Sequence, residues 1–289
     1  DEKGNPTSLM SIPGLEKYWK TGTFVTEALT QEALKALDKA KEYNQPFYLY
    51  MSHYAIHIPI DKDMRFYDKY KKKGMSDKEA AYASLIEGMD KSLGDIMDWL
   101  EKNGEADNTI ILFCGDNGGY ATGKEWRDEP LYTQNAPLTC GKGSAYEGGI
   151  REPMIVSWPA QVKPGVSDAL VSQIDLYASM ASLMGKPLEE GAGPDSRDHL
   201  DAFLGKDLKG RDYVVEVAGS LSVSDGEWKY IAPSNGATYA KLTNIELGNS
   251  KEEQLYNLKQ DIGEKKNLAA EHPEIVAKLK AILEKEKAK

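Results

Sequence analysis

The longest stretch of helix-patterned positions lies between residues 76 and 104. Its apolar residues stay on one face for about five helical turns, and polar residues occupy the other faces. Ser76 followed by Glu79 is a capping-box pattern, and Asn103-Gly104 is typical of a helix C-terminus. The pattern predicts one long amphipathic helix.

Three further segments carry the same helical spacing. One covers residues 26–43, one runs from about Ser172 to Met184 and stops at Gly185, and one begins at Pro273. Proline is common at the first position of a helix, which supports the last assignment. The apolar residues that share one face of this last segment are Ile275, Val276, Leu279, Ile282 and Leu283.

Continuous apolar or aromatic runs bounded by turn residues predict buried strands. They cover Phe47–Ser52, Thr109–Cys114 and Pro153–Trp158. Because these strands alternate with helices along the chain, we predict an α/β fold with a large mixed sheet, mostly parallel and flanked by helices.

Beyond about residue 206 the pattern changes to short strands. Two of them flank Asp225-Gly226, a pair typical of a two-residue hairpin loop. Together with the final helix, they predict a small antiparallel C-terminal sheet with a terminal helix. The predicted strands are Tyr213–Val217, Leu221–Ser224 and Glu227–Ile231.

The chain length agrees with two domains, because 289 residues exceed the size of one typical domain of roughly 150 residues. The stretch 185–194 is rich in glycine and proline, which marks the vicinity of a boundary. We place the boundary slightly later, where the strand pattern begins. The predicted domains are residues 1–205 and 206–289.

Composition excludes several classes of function. No apolar run approaches the roughly 18 residues of a membrane-spanning helix, so we expect no membrane span. The 36 basic and 46 acidic residues give a net charge of −10, which argues against a general nucleic-acid-binding protein and against an anionic membrane partner. An anionic substrate therefore requires a local cationic pocket.

The first segment that could carry chemistry is Cys114–Gly119, directly after a predicted buried strand. Sites in open α/β sheets collect outside the carboxyl ends of the strands. Asp116 and Asn117 offer adjacent oxygen ligands, one charged and one neutral, which suit Ca²⁺ or Mg²⁺. An ordinary turn is the alternative and the commoner use of Asp-Asn-Gly taken alone.

The second segment is the glycine-rich stretch Cys140–Pro153. Lys142 stands between two glycines, so its ammonium group can meet an oxyanion without interference from neighbouring side chains. The Walker pattern is absent. Glu147 and Arg151 are four residues apart and could pair. The alternative is a glycine-rich connection with a solvated lysine.

The third segment contains His53 and His57, after the Phe47–Ser52 run. Pro59 argues against a helix that would place both histidines on one metal-binding face. A single histidine, His57, acting as a proton donor or anion ligand fits better, with a structural loop histidine as the alternative. Because all three segments lie near ends of predicted strands, we expect them to converge and bind a tetrahedral oxyanion ester.

A family resemblance is carried by three motifs in chain order. They are His57-x-Pro59, Asp116-Asn117-Gly118, and Gly141-Lys142-Gly143-x-x-Tyr146-Glu147-Gly148-Gly149-Ile150-Arg151-x-Pro153. Their order resembles the formylglycine-dependent sulfatases of the alkaline-phosphatase-like superfamily. The resemblance continues from about residue 24 to the end of the chain, through Trp158-Pro159, Asp175-Leu176 and Leu255-Tyr256-Asn257-Leu258.

The resemblance implies a role for each matching residue. Asp116 and Asn117 are similar to ligands of the active-site Ca²⁺, with Mg²⁺ as an alternative. Lys142 is similar to the lysine that contacts the sulfate and its bridging oxygen. His57 is similar to the histidine that hydrogen-bonds the ester and helps to protonate the leaving alcohol. These groups would stabilise the negative charge that develops on the leaving oxygen.

The resemblance also implies a substrate and a location. The substrate is expected to be a sulfated small molecule or a sulfated glycan. The location is expected to be periplasmic or extracellular, or lysosomal in a eukaryote. Tyr120, Trp126, Arg127 and Tyr132, within the predicted rim 119–137, are candidates for stacking on a sugar, with an ordinary surface loop as the alternative.

The family's nucleophile segment is absent from this sequence. In the family, the cysteine or serine of the motif Cys/Ser-x-Pro-x-Arg is oxidised to formylglycine. Neither Cys114 nor Cys140 is followed by x-Pro-x-Arg, and the family's early Asp-Asp pair is also missing. We therefore expect the C-terminal part of a sulfatase, whose full-length form carries formylglycine. This chain alone is expected to be inactive, to bind Ca²⁺ weakly or not at all, and to self-associate or bind a missing N-terminal fragment.

Two alternative functions stay open at this point. One is a phosphodiesterase or phosphonate hydrolase of the same superfamily. The other is a non-catalytic chain that binds sulfated glycans through a small pocket around Lys124, Arg127 and Lys142.

Overall fold

The computed structural model describes residues 12–119, 127–128, 135–243 and 245–288. The chain divides into two compact units, and each is described by itself. The first unit is Asp1–Ala106 with Lys124–Glu129, and the second is Asp107–Gly123 with Pro130–Lys289. The sequence-based domains, residues 1–205 and 206–289, stay a prediction.

Helices account for most of the regular structure of the described residues. In chain order they are α1 (Val25–Glu42), α2 (Tyr67–Lys72), α3 (Asp77–Lys102), α4 (Glu147–Ile150), α5 (Asp175–Leu183), α6 (Leu200–Phe203) and α7 (Pro273–Lys287). The four predicted helices correspond to α1, α3, α5 and α7, with α5 beginning three residues later than predicted. The short helices α2, α4 and α6 were not predicted.

The strands are all four or five residues long. They are β1 (Ile111–Cys114), β2 (Met154–Ser157), β3 (Val214–Ala218), β4 (Ser220–Ser224), β5 (Trp228–Ile231) and β6 (Gln254–Asn257). Among the described residues they form one two-stranded sheet, β1-β2, and one four-stranded sheet in the order β3-β4-β5-β6.

Helix α3 forms the centre of the first unit, where α1 and α2 pack against it. Its N-terminus is capped as predicted, because the Ser76 Oγ accepts a hydrogen bond from the Glu79 backbone N–H at 3.2 Å. The Glu79 carboxylate does not return to Ser76. It accepts hydrogen bonds from Arg127 Nε and Nη2 at 2.8 and 2.7 Å, so only the N-cap half of the capping box forms.

The predicted strand Phe47–Ser52 is wrong. This segment has no strand assignment, and Tyr48 and Tyr50 are 85% and 75% exposed. An aromatic run becomes a buried strand only where neighbouring strands satisfy its backbone and a layer covers its side chains. Among the described residues no strand pairs with this segment, and its side chains are covered only in part, because Phe47 packs edge to face on Trp99 with ring centroids 6.4 Å apart.

Strands β1 and β2, both assigned to the predicted mixed, mostly parallel sheet, form an antiparallel pair. Ile111 lies opposite Ser157, and Cys114 lies opposite Met154. The connection from β1 to β2 returns to the end of β1 from which it left, and this produces an antiparallel pair without a crossover. The strands are also not buried on both faces, since Ile155 is 62% exposed.

The four-stranded sheet confirms the predicted C-terminal antiparallel sheet with its helix. Helix α7 packs on β4 and β5. The buried core between the helix and the sheet consists of Val223, Tyr230, Leu255, Val276, Leu279 and Leu283. Strand β6 adds a fourth strand that the pattern of hydrophobic residues did not predict.

The hairpin between β4 and β5 differs from the prediction by one residue. The Asp225 backbone N–H donates to the Trp228 carbonyl at 3.1 Å, so the two loop residues are Gly226 and Glu227. Gly226 has φ +87°, a conformation that favours glycine. Asp225 closes the loop instead, because its Oδ1 accepts hydrogen bonds from the backbone N–H groups of Glu227 and Trp228.

Candidate active site

The antiparallel β1-β2 pair brings together two of the three predicted segments. The residues that follow β1 and the residues that precede β2 leave the sheet at the same end. Hydrogen bonds continue beyond the strands, from the Gly115 N–H to the Pro153 carbonyl at 3.2 Å and from the Gly119 N–H to the Gly148 carbonyl at 3.0 Å. The Lys142 N–H donates to the Gly119 carbonyl at 2.7 Å.

Glycines allow this close packing of one backbone on another. A Cβ on Gly118 would lie 2.7 Å from the Gly149 carbonyl carbon and 2.8 Å from its Cα, and Gly118 also has φ +87°. A Cβ on Gly148 would lie 2.9 Å from the carbonyl carbon of Cys140. Because these neighbours are backbone atoms, larger residues cannot be accommodated by a side-chain rotation.

Asp116 and Asn117 lie on the exposed surface of this packed region. The Asn117 amide donates a hydrogen bond to Asp116 Oδ2 at 2.6 Å, so the two side chains are in contact. Their carboxylate and amide oxygens are the kind of ligand that a hard cation such as Ca²⁺ prefers. The described part of the chain contains no group of three or more histidine, cysteine, aspartate or glutamate residues that could hold a metal ion. These residues therefore fit part of a Ca²⁺ shell, which takes about 6–8 oxygens.

Glu152 is a neighbour of this pair that the sequence reasoning did not single out. Its carboxylate accepts a hydrogen bond from the Gly118 backbone N–H. Burial, with a further contribution from the negative charge of Asp116, raises the pKa of Glu152 to about 7. In the sequence it occupied the unassigned position between Arg151 and Pro153. Its acidic side chain beside a strand start was the only signal available.

Lys142 is exposed on the loop that we call the lysine loop, residues 141–149. Gly143, which follows it, has φ +90°. Within the described residues, no side chain forms a hydrogen bond or an ion pair with its Nζ. The ammonium group is therefore available to an anion from solvent.

The end of the lysine loop is held by buried charges. Glu147 is buried, and its two carboxylate oxygens lie 2.8 Å from Arg151 Nε and 2.8 Å from Lys229 Nζ. The pairing of Glu147 with Arg151 confirms the spacing argument, whereas the partner Lys229 was not predicted. Gln173, also missed, donates from Nε2 to the Gly115 carbonyl at 2.7 Å, next to Asp116.

His57 belongs to the first unit and is exposed. Its Nδ1 lies 2.8 Å from the Ile58 carbonyl oxygen, and its backbone N–H donates to the Tyr54 carbonyl at 2.9 Å. Nearby, burial lowers the pKa of His53, which favours the neutral ring. The convergence of His57 with the two loops of the second unit stays a prediction.

The predicted rim lies mostly outside the described residues. Tyr120, Lys124, Trp126 and Tyr132 are among those outside. Arg127 is described, and its guanidinium pairs with Glu79 and stacks 3.7 Å from the centroid of the Tyr82 ring. These contacts occupy the arginine, so it does not offer an open platform for a sugar.

Comparison with known proteins identifies the family. The family model described as Sulfatase matches residues 4–186. The chain belongs to the sulfatase family. This sulfatase chain is 38% identical over 299 aligned residues to the N-acetylgalactosamine-6-O-sulfatase of Bacteroides thetaiotaomicron, covering 99% of this chain and 56% of that protein. It is 29% identical to human arylsulfatase A, covering 84% of this chain and 49% of that protein.

Solved structures agree with the family. One is BT33336S-sulf, from work on the metabolism of multiple glycosaminoglycans by Bacteroides thetaiotaomicron, with a TM-score of 0.81 and 37% identity over 92% of this chain and 55% of that chain. Another is Ps i-CgsB in complex with k-i-k-neocarrahexaose, with a TM-score of 0.75 and 27% identity over 91% of this chain and 55% of that chain. They confirm the α/β, alkaline-phosphatase-like fold class of this sulfatase chain.

The sulfatase chain spans about half the length of these relatives, from 49% of arylsulfatase A to 56% of the bacterial enzyme. Among the described residues, no helix is long and apolar enough to cross a membrane.

Proposed function

We propose that the chain supplies sulfate-binding and cation-binding loops of a sulfuric ester hydrolase that acts on sulfated glycans. The observation that carries the proposal is the lysine loop. Lys142 stands exposed between glycines, and its backbone N–H is hydrogen-bonded at 2.7 Å to Gly119, two residues beyond Asn117. A cationic side chain and hard oxygen ligands on two loops in direct contact suit a sulfate ester and a divalent cation.

The proposed roles follow the chemistry of each side chain. Asp116 and Asn117 would hold Ca²⁺, with Mg²⁺ as the alternative. When bound, the cation would add positive charge beside the sulfate oxygens. Lys142 would neutralise a sulfate oxygen and the charge that develops on the bridging oxygen. His57, assigned from its motif alone, would donate a proton to the leaving alcohol.

Formylglycine does not fit either cysteine of this chain. Cys114 is followed by Gly-Asp-Asn and Cys140 by Gly-Lys-Gly, and neither matches Cys/Ser-x-Pro-x-Arg. No catalytic step is therefore assigned to a nucleophile of this chain. We propose that the chain binds the ester without turning it over, and that formylglycine belongs to the full-length protein.

The substrate class is proposed from the relatives. One relative is named as a sulfatase of N-acetylgalactosamine-6-O-sulfate, and one similar structure holds the oligosaccharide k-i-k-neocarrahexaose. A sulfated sugar is therefore the substrate that we propose, in a periplasmic or extracellular setting, or a lysosomal one in a eukaryote.

Self-association, or pairing with an N-terminal fragment, remains part of the proposal, and sedimentation velocity tests it.

A turnover assay tests the claim that this chain binds without hydrolysis. A chromogenic aryl sulfate is incubated with the chain, with and without Ca²⁺, beside the Lys142→Ala variant. We expect no difference in product release between the two proteins, because the nucleophile is absent. Metal-dependent turnover that exceeds the Lys142→Ala variant would contradict the proposal.

Calorimetry tests the cation ligands in the same samples. Because Asp116 and Asn117 provide only part of a Ca²⁺ shell, we expect affinity weaker than about micromolar. Asp116→Ala removes the charged ligand, and Asp168→Ala is the matched control at an exposed aspartate of the same unit. Micromolar binding that is lost in Asp116→Ala and kept in Asp168→Ala would show a more complete site than we propose.

A further inference from the structure

A lysine is fully buried beneath the lysine loop. Lys229 lies on β5 and has 0% of its side chain exposed. Its Nζ donates to Glu147 Oε1 at 2.8 Å and lies 3.7 Å from Glu264 Oε1. Lysine is almost never buried to this extent without paired charges. None of the cation-binding, sulfate-binding or proton-donating roles proposed above involves Lys229.

The charges around Lys229 keep the pair ionised. Burial alone would lower the pKa of Lys229, but the carboxylates of Glu147, Glu264 and Glu216 outweigh it, and the pKa is raised. Burial alone would raise the pKa of Glu147, but Lys229 and Arg151 together more than offset this, so the pKa of Glu147 is lowered. Glu147 and Lys229 therefore form a buried ion pair, in which each charge depends on the other.

The same part of the lysine loop is fixed by three consecutive residues. The Ala145 N–H donates to the Leu247 carbonyl at 3.0 Å. The rings of Tyr146 and Tyr256 meet edge to face with centroids 6.0 Å apart. The Glu147 N–H donates to the Glu264 carboxylate at 2.6 Å. These contacts dock the second half of the loop on β6 and its flanking segments.

The first half of the loop, which carries Lys142, has fewer anchors. Lys142 and Gly143 are exposed, and the Lys142 side chain has no partner among the described residues. Its placement therefore depends on the backbone hydrogen bond to Gly119 and on the docked second half. The glycines on both sides of Lys142 add conformational freedom, which these anchors and the hydrogen bond from the Ser144 N–H to the Gly141 carbonyl at 3.0 Å reduce.

We propose that Lys229 is a positioning residue, which fixes the lysine loop through Glu147 and thereby sets the location of the Lys142 ammonium group. Lys229 is buried and does not touch the substrate. The loop-fixing claim concerns this chain alone, while its effect on sulfate binding rests on the proposed function. The C-terminal sheet thus contributes to sulfate recognition through a residue that no substrate reaches.

The test compares variants that lose stability for different reasons. Lys229→Met removes the buried ammonium and keeps an unbranched side chain, and Glu147→Gln is the milder variant if Lys229→Met does not fold. Leu279→Ala is the matched control, because Leu279 is fully buried in the core between α7 and the sheet and does not belong to the ion cluster. The double variant Lys229→Met/Glu147→Gln removes both charges of the ion pair and leaves Glu264, whose pKa burial raises to about 7, as the remaining carboxyl group of the cluster.

Two readouts are measured on each protein. Amide hydrogen exchange reports the order of the lysine loop, through the N–H groups of Lys142 and Ala145. Calorimetry with N-acetylgalactosamine 6-sulfate and Ca²⁺ reports sulfate binding. We expect Lys229→Met or Glu147→Gln to speed loop exchange and to weaken binding, each by about tenfold. The double variant is expected to regain thermal stability without regaining affinity, and Leu279→Ala to change neither readout beyond its global loss of stability.

The outcomes separate the two claims. The positioning role would be overturned if amide exchange in the lysine loop of Lys229→Met and Glu147→Gln is no faster than in Leu279→Ala, compared at equal thermal stability. If the unmodified chain does not bind the sulfated sugar, the proposed function fails, and the exchange comparison still decides whether Lys229 fixes the loop.

Discussion

Replacing Gly118 with alanine tests whether the packing of the two loops is as tight as the geometry indicates. Gly118 lies between Asn117 and Gly119, and Gly119 accepts the hydrogen bond from the Lys142 N–H. An added methyl group would therefore act at the junction between the proposed cation ligands and the lysine loop.

The expected cost has two parts. Gly118 has φ +87°, and a residue with a Cβ pays roughly 1–2 kcal/mol in the left-handed region. The new Cβ would lie 2.7 Å from the Gly149 carbonyl carbon and 2.8 Å from its Cα. Because those atoms are backbone, the loop must move, and overpacking of this kind costs roughly 1–3 kcal/mol. We expect the free energy of unfolding to fall by about 2–5 kcal/mol in total.

Urea unfolding followed by circular dichroism measures this loss. The matched control is Gly165→Ala in the same unit, where an added Cβ meets no atom within 4 Å and φ is not positive. That control is expected to be neutral or to stabilise by about 0.4–1 kcal/mol. Equal midpoints for Gly118→Ala and Gly165→Ala would refute the inference that the two loops are packed backbone to backbone.

Two further predictions concern the C-terminal sheet. Leu279→Ala opens a cavity in the core beneath α7, where Leu279 is 0% exposed, and is expected to lower the free energy of unfolding by about 2–5 kcal/mol; a loss below about 1 kcal/mol in urea unfolding would contradict this packing. Burial raises the pKa of Glu264 to about 7, so the folded chain binds more protons than the unfolded chain between about pH 4.5 and pH 7, and stability falls as pH rises through this window. Across that window, the loss of thermal stability is expected to be smaller in Glu264→Gln than in the unmodified chain. An equal loss in both proteins would mean that other groups cause the pH dependence.

Helical periodicity predicted the parts of the fold that depend on local sequence. The apolar face of α3 and the face of α7 bearing Leu279 and Leu283 are repeated patterns over several turns, so tertiary context did not override them. The Asp225-Gly226 signal located the hairpin, although Asp225 closes the loop from outside and the turn residues are Gly226 and Glu227.

The remaining differences come from information that a strand pattern does not contain. An apolar run does not specify the direction of its partner, and the antiparallel pairing of β1 with β2 follows from the connection between them. Phe47–Ser52 has the composition of a buried strand, yet it lacks strand neighbours among the described residues. Composition alone could not distinguish these cases.

The sequence proposes Lys142, Asp116 and Asn117 because glycines and adjacent oxygen ligands mark unusual loops, and their roles stay a prediction. The residues that support these loops were not predicted. Lys229 was missed because a lysine within a strand is usually assigned to the solvent face. That face is instead covered, since Lys229 and Ile231, which share it, are both 0% exposed.

The central claim is that Lys142 binds a sulfate ester, and the affinity for N-acetylgalactosamine 6-sulfate tests it most directly. Calorimetry in the presence of Ca²⁺ compares the unmodified chain with Lys142→Ala and with Lys163→Ala, an exposed lysine of the same unit. The account predicts affinity at least about tenfold weaker in Lys142→Ala, about 1.4 kcal/mol, and no change in Lys163→Ala. Equal affinity in all three proteins would contradict it.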